Sequence, residues 1–299
     1  MPDFFDPQFS SHIYKENPEI FLCWPSDMND LAKAEAEHHD HDHEDPFEVH
    51  QLESWRNRFY HRRIWKLLQK MPVSSRILEV GAGSGFDAKE LLGRNYELVL
   101  GDVSPETLNR LSQRLGLLSD ERVYYVALDA EHLPFLSNSF EAMYMIATFH
   151  HVESPIAALA EAERVLKPDG LLILGVEPNL TYFRPIRWFK GILYRLSHTD
   201  PEHISKADAQ MEGFSKSQLD LLFKGKEWKD LSIRPMWFIA GFFHYVMEFM
   251  FRALKLSKRL RLPLWFEKFL VRLDEFLFKI PGFSYLAWHW VLTARKRES

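Results

Sequence analysis

The stretch ILEVGAGSGFD, residues 77–87, closes an apolar run with glycines at every second position and a carboxylate two residues before the first of them. Glycines spaced this way let the backbone approach a ligand closely. A dinucleotide fingerprint would need a small residue where Phe86 stands, because the helix that follows must pack tightly on its strand to bring its N-terminus to the pyrophosphate. A phosphate-binding P-loop would need a Gly-Lys-Ser/Thr sequence, and none follows. What suits Gly81, Gly83 and Gly85 with Glu79 beside them is a phosphate-free ligand carrying ammonium and sulfonium charge. Asp102, 17 residues beyond Gly85, ends the next apolar run, where an acid can accept hydrogen bonds from both hydroxyls of a ribose. Asp129 ends the third run, where a side-chain acceptor would meet an adenine amino group. Each acid has a local alternative as a helix cap or turn former; as an ordered set on successive strand ends they are far more specific.

The elements that position these groups are legible as short runs rich in Val, Ile, Leu and Tyr over 76–80, 96–102, 123–130, 142–147 and 171–177, with helical stretches expected at 85–93, 104–115 and 154–166. Strand and helix alternating in this way imply a doubly wound α/β fold with a mostly parallel sheet, and ligands beyond the C-terminal ends of its strands. Upstream, residues 1–52 form an extension without sustained periodicity, irregular or partly helical, and a helix starting near Glu53 and closed by Pro72 begins a core over 53–180. Residues 181–299 hold a capped helix in GFSKSQLDLLF, a strand in LSIRPMWFIAGFF that runs on into an apolar stretch, and a final strand in LAWHWVLTARKR.

RILEVGAGSGFDAKELL, GDVSPETL, ALDAEHLPF, ATFHHVESP and ERVLKPDGLLIL together resemble the class I S-adenosylmethionine-dependent methyltransferases, and most of all the branch acting on small molecules, lipids and quinones. The resemblance is good over 76–177 and loose beyond. It implies S-adenosylmethionine as cofactor, a seven-stranded Rossmann-like sheet with its last strand antiparallel, a methionine-binding turn at Glu79, Gly81, Gly83 and Gly85, ribose on Asp102, adenine packed on Val103, and the adenine edge read by Asp129 and Ala130. It also implies that the N-terminal segment folds over the cofactor as a lid. KPDG stands where the family usually has KPGG, and Asp-Gly serves such a turn well.

Methyl transfer is an in-line displacement at an activated carbon, so the protein has mainly to position two ligands and exclude water. An acceptor hydroxyl or amine still has a proton to lose, and His150 and His151, just after the fourth strand, are the expected candidates, with Glu177 at the end of the fifth. The run His38, His39, Asp40, His41, Asp42, His43 holds metal-ligand residue types, but its spacing matches no familiar site and no metal is expected. The chain has 299 residues, 46% hydrophobic and 26% charged, with 24 Phe and 9 Trp. Its one cysteine, Cys23, rules out an internal disulfide, and its start carries no secretory pattern, so a cytoplasmic location is expected. Residues 181–299 carry 21 Lys and Arg against 12 Asp and Glu, or +9, while residues 1–180 carry 16 against 30, or −14. The basic part includes PMWFIAGFFHYVMEFMF followed by Arg252, Lys255, Lys258, Arg259 and Arg261, too short to span a bilayer but suited to peripheral membrane contact through 235–261. The same aromatic region is expected to hold a hydrophobic or lipid-like acceptor. A nucleic-acid partner is not expected, since the chain is acidic overall and has no recognised reading module. The alternative to an enzyme is a cofactor-binding or membrane-associated scaffold that keeps the fold.

Overall fold

In the computed structural model, residues 2–9, 12–16, 19–25, 28–41, 54–116, 122–181, 213–225, 227–253 and 261–298 are described. Nine strands among them form one sheet: β1 (His12–Glu16), β2 (Glu19–Leu22), β3 (Arg76–Val80), β4 (Glu97–Asp102), β5 (Val123–Ala127), β6 (Phe140–Ile146), β7 (Leu166–Pro178), β8 (Trp228–Met236) and β9 (His289–Lys296). Their order across the sheet is β1-β2-β5-β4-β3-β6-β7-β9-β8. From β2 to β7 neighbours run parallel, whereas β9 is antiparallel to both β7 and β8. The sheet has nine strands where seven were expected: an unforeseen antiparallel hairpin, β1 and β2, extends it through pairing of Ile20 with Tyr125. The sheet thus draws strands from all three regions that the sequence separates.

Helices start where serine side chains can take an orphan amide. Ser54 accepts from Asn57 N–H at the head of α2 (Trp55–Leu68), and α1 (Asp30–His41) precedes it. Ser104 and Ser154 do the same for α3 (Pro105–Leu115) and α4 (Pro155–Val165), each with proline in the first turn, where no N–H is needed. A capping box between Ser215 and Gln218 opens α5 (Lys216–Leu222). Two further helices, α6 (Ile239–Ala253) and α7 (Leu264–Leu277), lie beyond β8. The expected helix at 85–93 is only a 3-10 turn, Ala88–Glu90. The strand expected in LSIRPMWFIAGFF ends at Met236, and its apolar continuation turns through Trp237 (φ 58°) into α6.

Strand alternation sorts the core onto the two faces of the sheet. Leu78, Val80, Val99, Met143, Leu172 and Leu174 pack with α4 and α5, whereas Ile77, Leu98, Leu100, Tyr144 and Ile173 pack with α2 and α3. A smaller cluster, with Tyr60, Met236, Trp237, Leu270, Val271 and Trp288, binds α6 and α7 to α2 and the ends of β8 and β9. Strand order reverses between β3 and β6, which puts the ligand crevice of such a sheet beyond the C-terminal ends of these strands.

Candidate active site

A cavity of about 540 Å³ opens at that switch point, in the range of small-molecule sites. The turn after β3 forms its floor. Gly81 has φ 77°, and a Cβ there would meet Thr148 Oγ1 at 2.2 Å. At Gly83, with φ 47°, a Cβ would find nothing within 4 Å, so the backbone faces open space, and the Gly83 N–H donates to Asp102 Oδ2 at 3.0 Å. The Ser104 N–H donates to the other Asp102 oxygen at 3.0 Å. Burial raises the Asp102 carboxyl above its ordinary range, and these two amides oppose the rise. Glu79, at the end of β3, is 3% exposed and accepts a hydrogen bond from the Tyr144 hydroxyl at 2.8 Å. Its carboxyl is pushed well above the usual range, first by burial and then by the Asp87 charge, while Tyr144 acts in the opposite direction. Val103, Asp129 and Ala130 line the same cavity. Asp129 also accepts from Glu131 N–H at 3.0 Å and lies 3.1 Å from His132 Nδ1, so it holds its own turn.

The lining carries seven carboxylates, Glu35, Glu79, Asp87, Asp102, Asp129, Glu131 and Glu153, and among the described residues neither lysine nor arginine. That lining suits a cationic, phosphate-free nucleoside and opposes a pyrophosphate. Helix α1 closes one side. Glu35 lies 3.2 Å from His151 Nδ1, Ser104 Oγ donates to Asp40 Oδ1 at 2.6 Å, and Arg110 donates to the His39 carbonyl at 2.6 Å. The histidine-acid run therefore begins as helix, with Asp40 spent on the head of α3; Asp42 and His43 lie outside the described residues.

The residues singled out for proton transfer separate. His151 lines the cavity. His150 and Glu177 do not; they pair behind the wall at 3.0 Å, with the second Glu177 oxygen accepting from Phe149 N–H at 3.2 Å and no exposure left to Glu177. A carboxylate so engaged ties the ends of β6 and β7 together behind the cavity wall.

The far end of the cavity is built by β7, β9, β8 and α6 from Val176, His289, Trp237 and Tyr245. Burial, and then the charge of nearby His150, lower the His289 imidazole to about 3, and Tyr245 Oη lies 3.3 Å from its Nε2. Trp237 stacks under the Arg56 guanidinium at 5.4 Å, and its buried Nε1–H has no hydrogen-bond partner among the described residues. Ala147, Val176 and Trp237, at the ends of β6, β7 and β8, all have left-handed backbone, φ 53°, 59° and 58°, and all line the cavity. Such strain costs of order 1–3 kcal/mol per residue and persists only where the surroundings enforce it. Sequence spacing alone does not reveal Asp87, which accepts from Trp65 Nε1 at 2.6 Å, lies 2.7 Å from His61 Nδ1, and so ties α2 to the glycine turn.

Residues 78–174 match the family described as "Methyltransferase domain". The chain is 36% identical over 121 residues to a ubiquinone/menaquinone biosynthesis C-methyltransferase of Rickettsia typhi, covering 37% of this chain and 49% of that protein. It is 29% identical over 133 residues to a tRNA U34 carboxymethyltransferase of Pseudoalteromonas atlantica, covering 43% and 41%. The chain thus spans about half the length or less of these curated relatives. In fold it is similar to phosphoethanolamine N-methyltransferase 2 of Haemonchus contortus, solved in complex with phosphomonomethylethanolamine and S-adenosylhomocysteine, with a TM-score of 0.53, 19% identity, and 80% and 52% of the two chains covered.

Proposed function

We propose that this chain, which carries a class I S-adenosylmethionine-dependent methyltransferase domain, moves a methyl group onto a small, hydrophobic, oxygen-bearing acceptor of the quinol type bound at the Trp237, Tyr245 and His289 end of the cavity. The observation that carries the reading is the convergence of the glycine turn, Asp102 and Asp129 on one cavity with seven carboxylates and, among the described residues, no lining lysine or arginine. The bound cofactor supplies an activated methyl carbon. The protein's own groups do the rest. Asp102 and Asp129 hold the nucleoside, Glu79 faces the ligand's positive charge, and the aromatic end excludes water and fixes the line of approach.

Trp237 supplies a buried N–H without a partner among the described residues, which favours an acceptor with an oxygen to receive it. For the acceptor's proton, His151 is the group in place: it lines the cavity, and Glu35 orients it through Nδ1. His289, depressed to about 3, is too weak a base for that task. The quinone reading leans on the relative in Rickettsia typhi, and the aromatic lining of the far end agrees with it better than with a polynucleotide.

The deciding experiment incubates the protein with radiolabelled S-adenosylmethionine and, in separate arms, a short-chain demethylated hydroquinone, a total lipid extract and bulk tRNA. Label entering the hydroquinone or the organic phase is the expected outcome. Label in tRNA alone would sink the acceptor class, and no transfer in any arm despite cofactor binding would return the chain to the scaffold reading.

A further inference from the structure

We infer that the outward face of α6 and α7 is a docking surface for an anionic membrane. Trp265 is 71% exposed, Phe276 62%, Phe242 56% and Phe269 53%, and Met250 and Leu264 stand out of the same pair of helices. On α7 the exposed positions 265, 269, 272 and 276 follow helical spacing and read Trp, Phe, Arg, Phe, and exposed Lys279 lies just past the end of the helix. The α6 face repeats the pattern with Phe242, Val246 and Met250, and Phe243 meets Phe266 edge-on at 5.6 Å, so the two faces are continuous.

Charge identifies the occupant. All three acids of α7 are withdrawn from that face: Glu267 and Asp274 are buried, Asp274 accepting the amides of Phe238, Ile239 and Ala240 at the head of α6, and Glu275 is ion-paired with Arg63 of α2. The exposed charge on α7 is the cation Arg272, and Arg261 just before the helix and Lys279 just after it are exposed as well. Aromatic side chains with cations and no acids are what a helix lying in the interface of an anionic bilayer presents. A water-facing helix would mix both signs, and the core of a protein interface is depleted of charged residues, lysine among them. No helix among the described residues is long and apolar enough to cross a membrane, so contact would be made from one side. Tyr245, on the flank of α6 beside that face, lines the cavity, so one helix contributes both to the surface that meets lipid and to the wall of the far end.

The proposal stands apart from the acceptor's identity, and its test needs neither cofactor nor acceptor. The intact protein is sedimented with vesicles of phosphatidylcholine containing phosphatidylglycerol and with vesicles of phosphatidylcholine alone, at about 0.1 M and about 1 M salt. Association with the anionic vesicles, weakened by salt and far lower on neutral ones, is expected. Trp265→Ser with Phe269→Ser, and separately Arg272→Glu with Lys279→Glu, should each reduce partitioning about tenfold or more, while S-adenosylhomocysteine affinity, read by calorimetry, stays unchanged as proof of folding. The proposal is overturned by absence of anionic-vesicle binding, by variants that bind as the parent does, or by light scattering that shows a dimer which the same substitutions dissolve, since the face would then belong to a second copy.

Discussion

Gly83 N–H donates to Asp102 Oδ2 at 3.0 Å, so the turn after β3 and the acid that ends β4 hold each other in place. Asp102→Asn keeps the size of the side chain but removes the charge that two backbone amides and a ribose would share. Its affinity for S-adenosylhomocysteine is expected to fall by about 1–3 kcal/mol in calorimetry. Parent-like affinity would take Asp102 out of the ribose role.

Glu79 predicts a coupling between protons and cofactor. Burial and the Asp87 charge raise its carboxyl, so without ligand it holds a proton above the ordinary carboxylate range. A raised acid stabilises the fold below its unfolded value, and that contribution is lost as pH rises through the folded value. A cationic ligand favours the ionised form, so binding should release a proton, and affinity should climb with pH until the ligand-free Glu79 is ionised. Calorimetry in two buffers of different ionisation enthalpy reads the proton directly. Tyr144→Phe, which deletes the donor to Glu79 Oε2, should steepen the dependence; equal heats in both buffers would refute it.

His289 should make the fold acid-sensitive. Its imidazole is lowered to about 3, so between the unfolded value near 6.5 and 3 the unfolded chain binds a proton that the native chain refuses. The stability this gives is present above about 6.5 and is lost as pH falls. Thermal melts of the parent and of His289→Gln from neutral to mildly acid pH should therefore converge, the variant losing less. Parallel melts would speak against a buried neutral imidazole.

For the chemical step, His151→Ala is expected to lower kcat by about 10²-fold or more while leaving S-adenosylhomocysteine affinity within a factor of a few. Trp237→Phe keeps the ring and deletes the N–H, and should raise the acceptor KM with a smaller change in kcat. A common loss of cofactor affinity in both variants would point instead to a collapsed cavity.

Helix α1 should act on residence time. Asp40 accepts from Ser104 Oγ and from Glu106 N–H at the head of α3, and Asp40→Ala removes both contacts. The dissociation rate of S-adenosylhomocysteine in stopped flow is expected to rise about fivefold, the equivalent of ~1 kcal/mol. An unchanged rate would mean that α1 does not gate the cofactor end.

What the sequence makes legible is what strand ends encode locally. Gly81, Gly83, Asp102 and Asp129 each close a short apolar run, and the order of those runs along the chain is the order of the crevice they build. What stays hidden depends on partners far apart in sequence. Asp87 gains its meaning from His61 and Trp65 on a helix that precedes it, Asp274 from amides 34 to 36 positions earlier, and Glu35 from a histidine 116 positions later. Glu177 is hidden for the same reason: a carboxylate on a strand end can face the cavity or turn behind its wall, and the His150 ring and the Phe149 amide hold it behind. The hairpin of β1 and β2 leaves no trace in the pattern because its strands, five and four residues long, are too short for alternation to show.

The sheet order has a consequence for how such a protein can change over evolutionary time. The acids and glycines at the nucleoside end, on β3, β4 and the turn after β5, all precede Pro178, whereas Trp237, Tyr245 and His289 follow it. On the proposed reading, methyl donor and acceptor are thereby held by separate stretches of the chain. The later stretch can drift, or be exchanged by an engineer for that of a relative, and recruit a different acceptor while the earlier one goes on holding the same methyl donor.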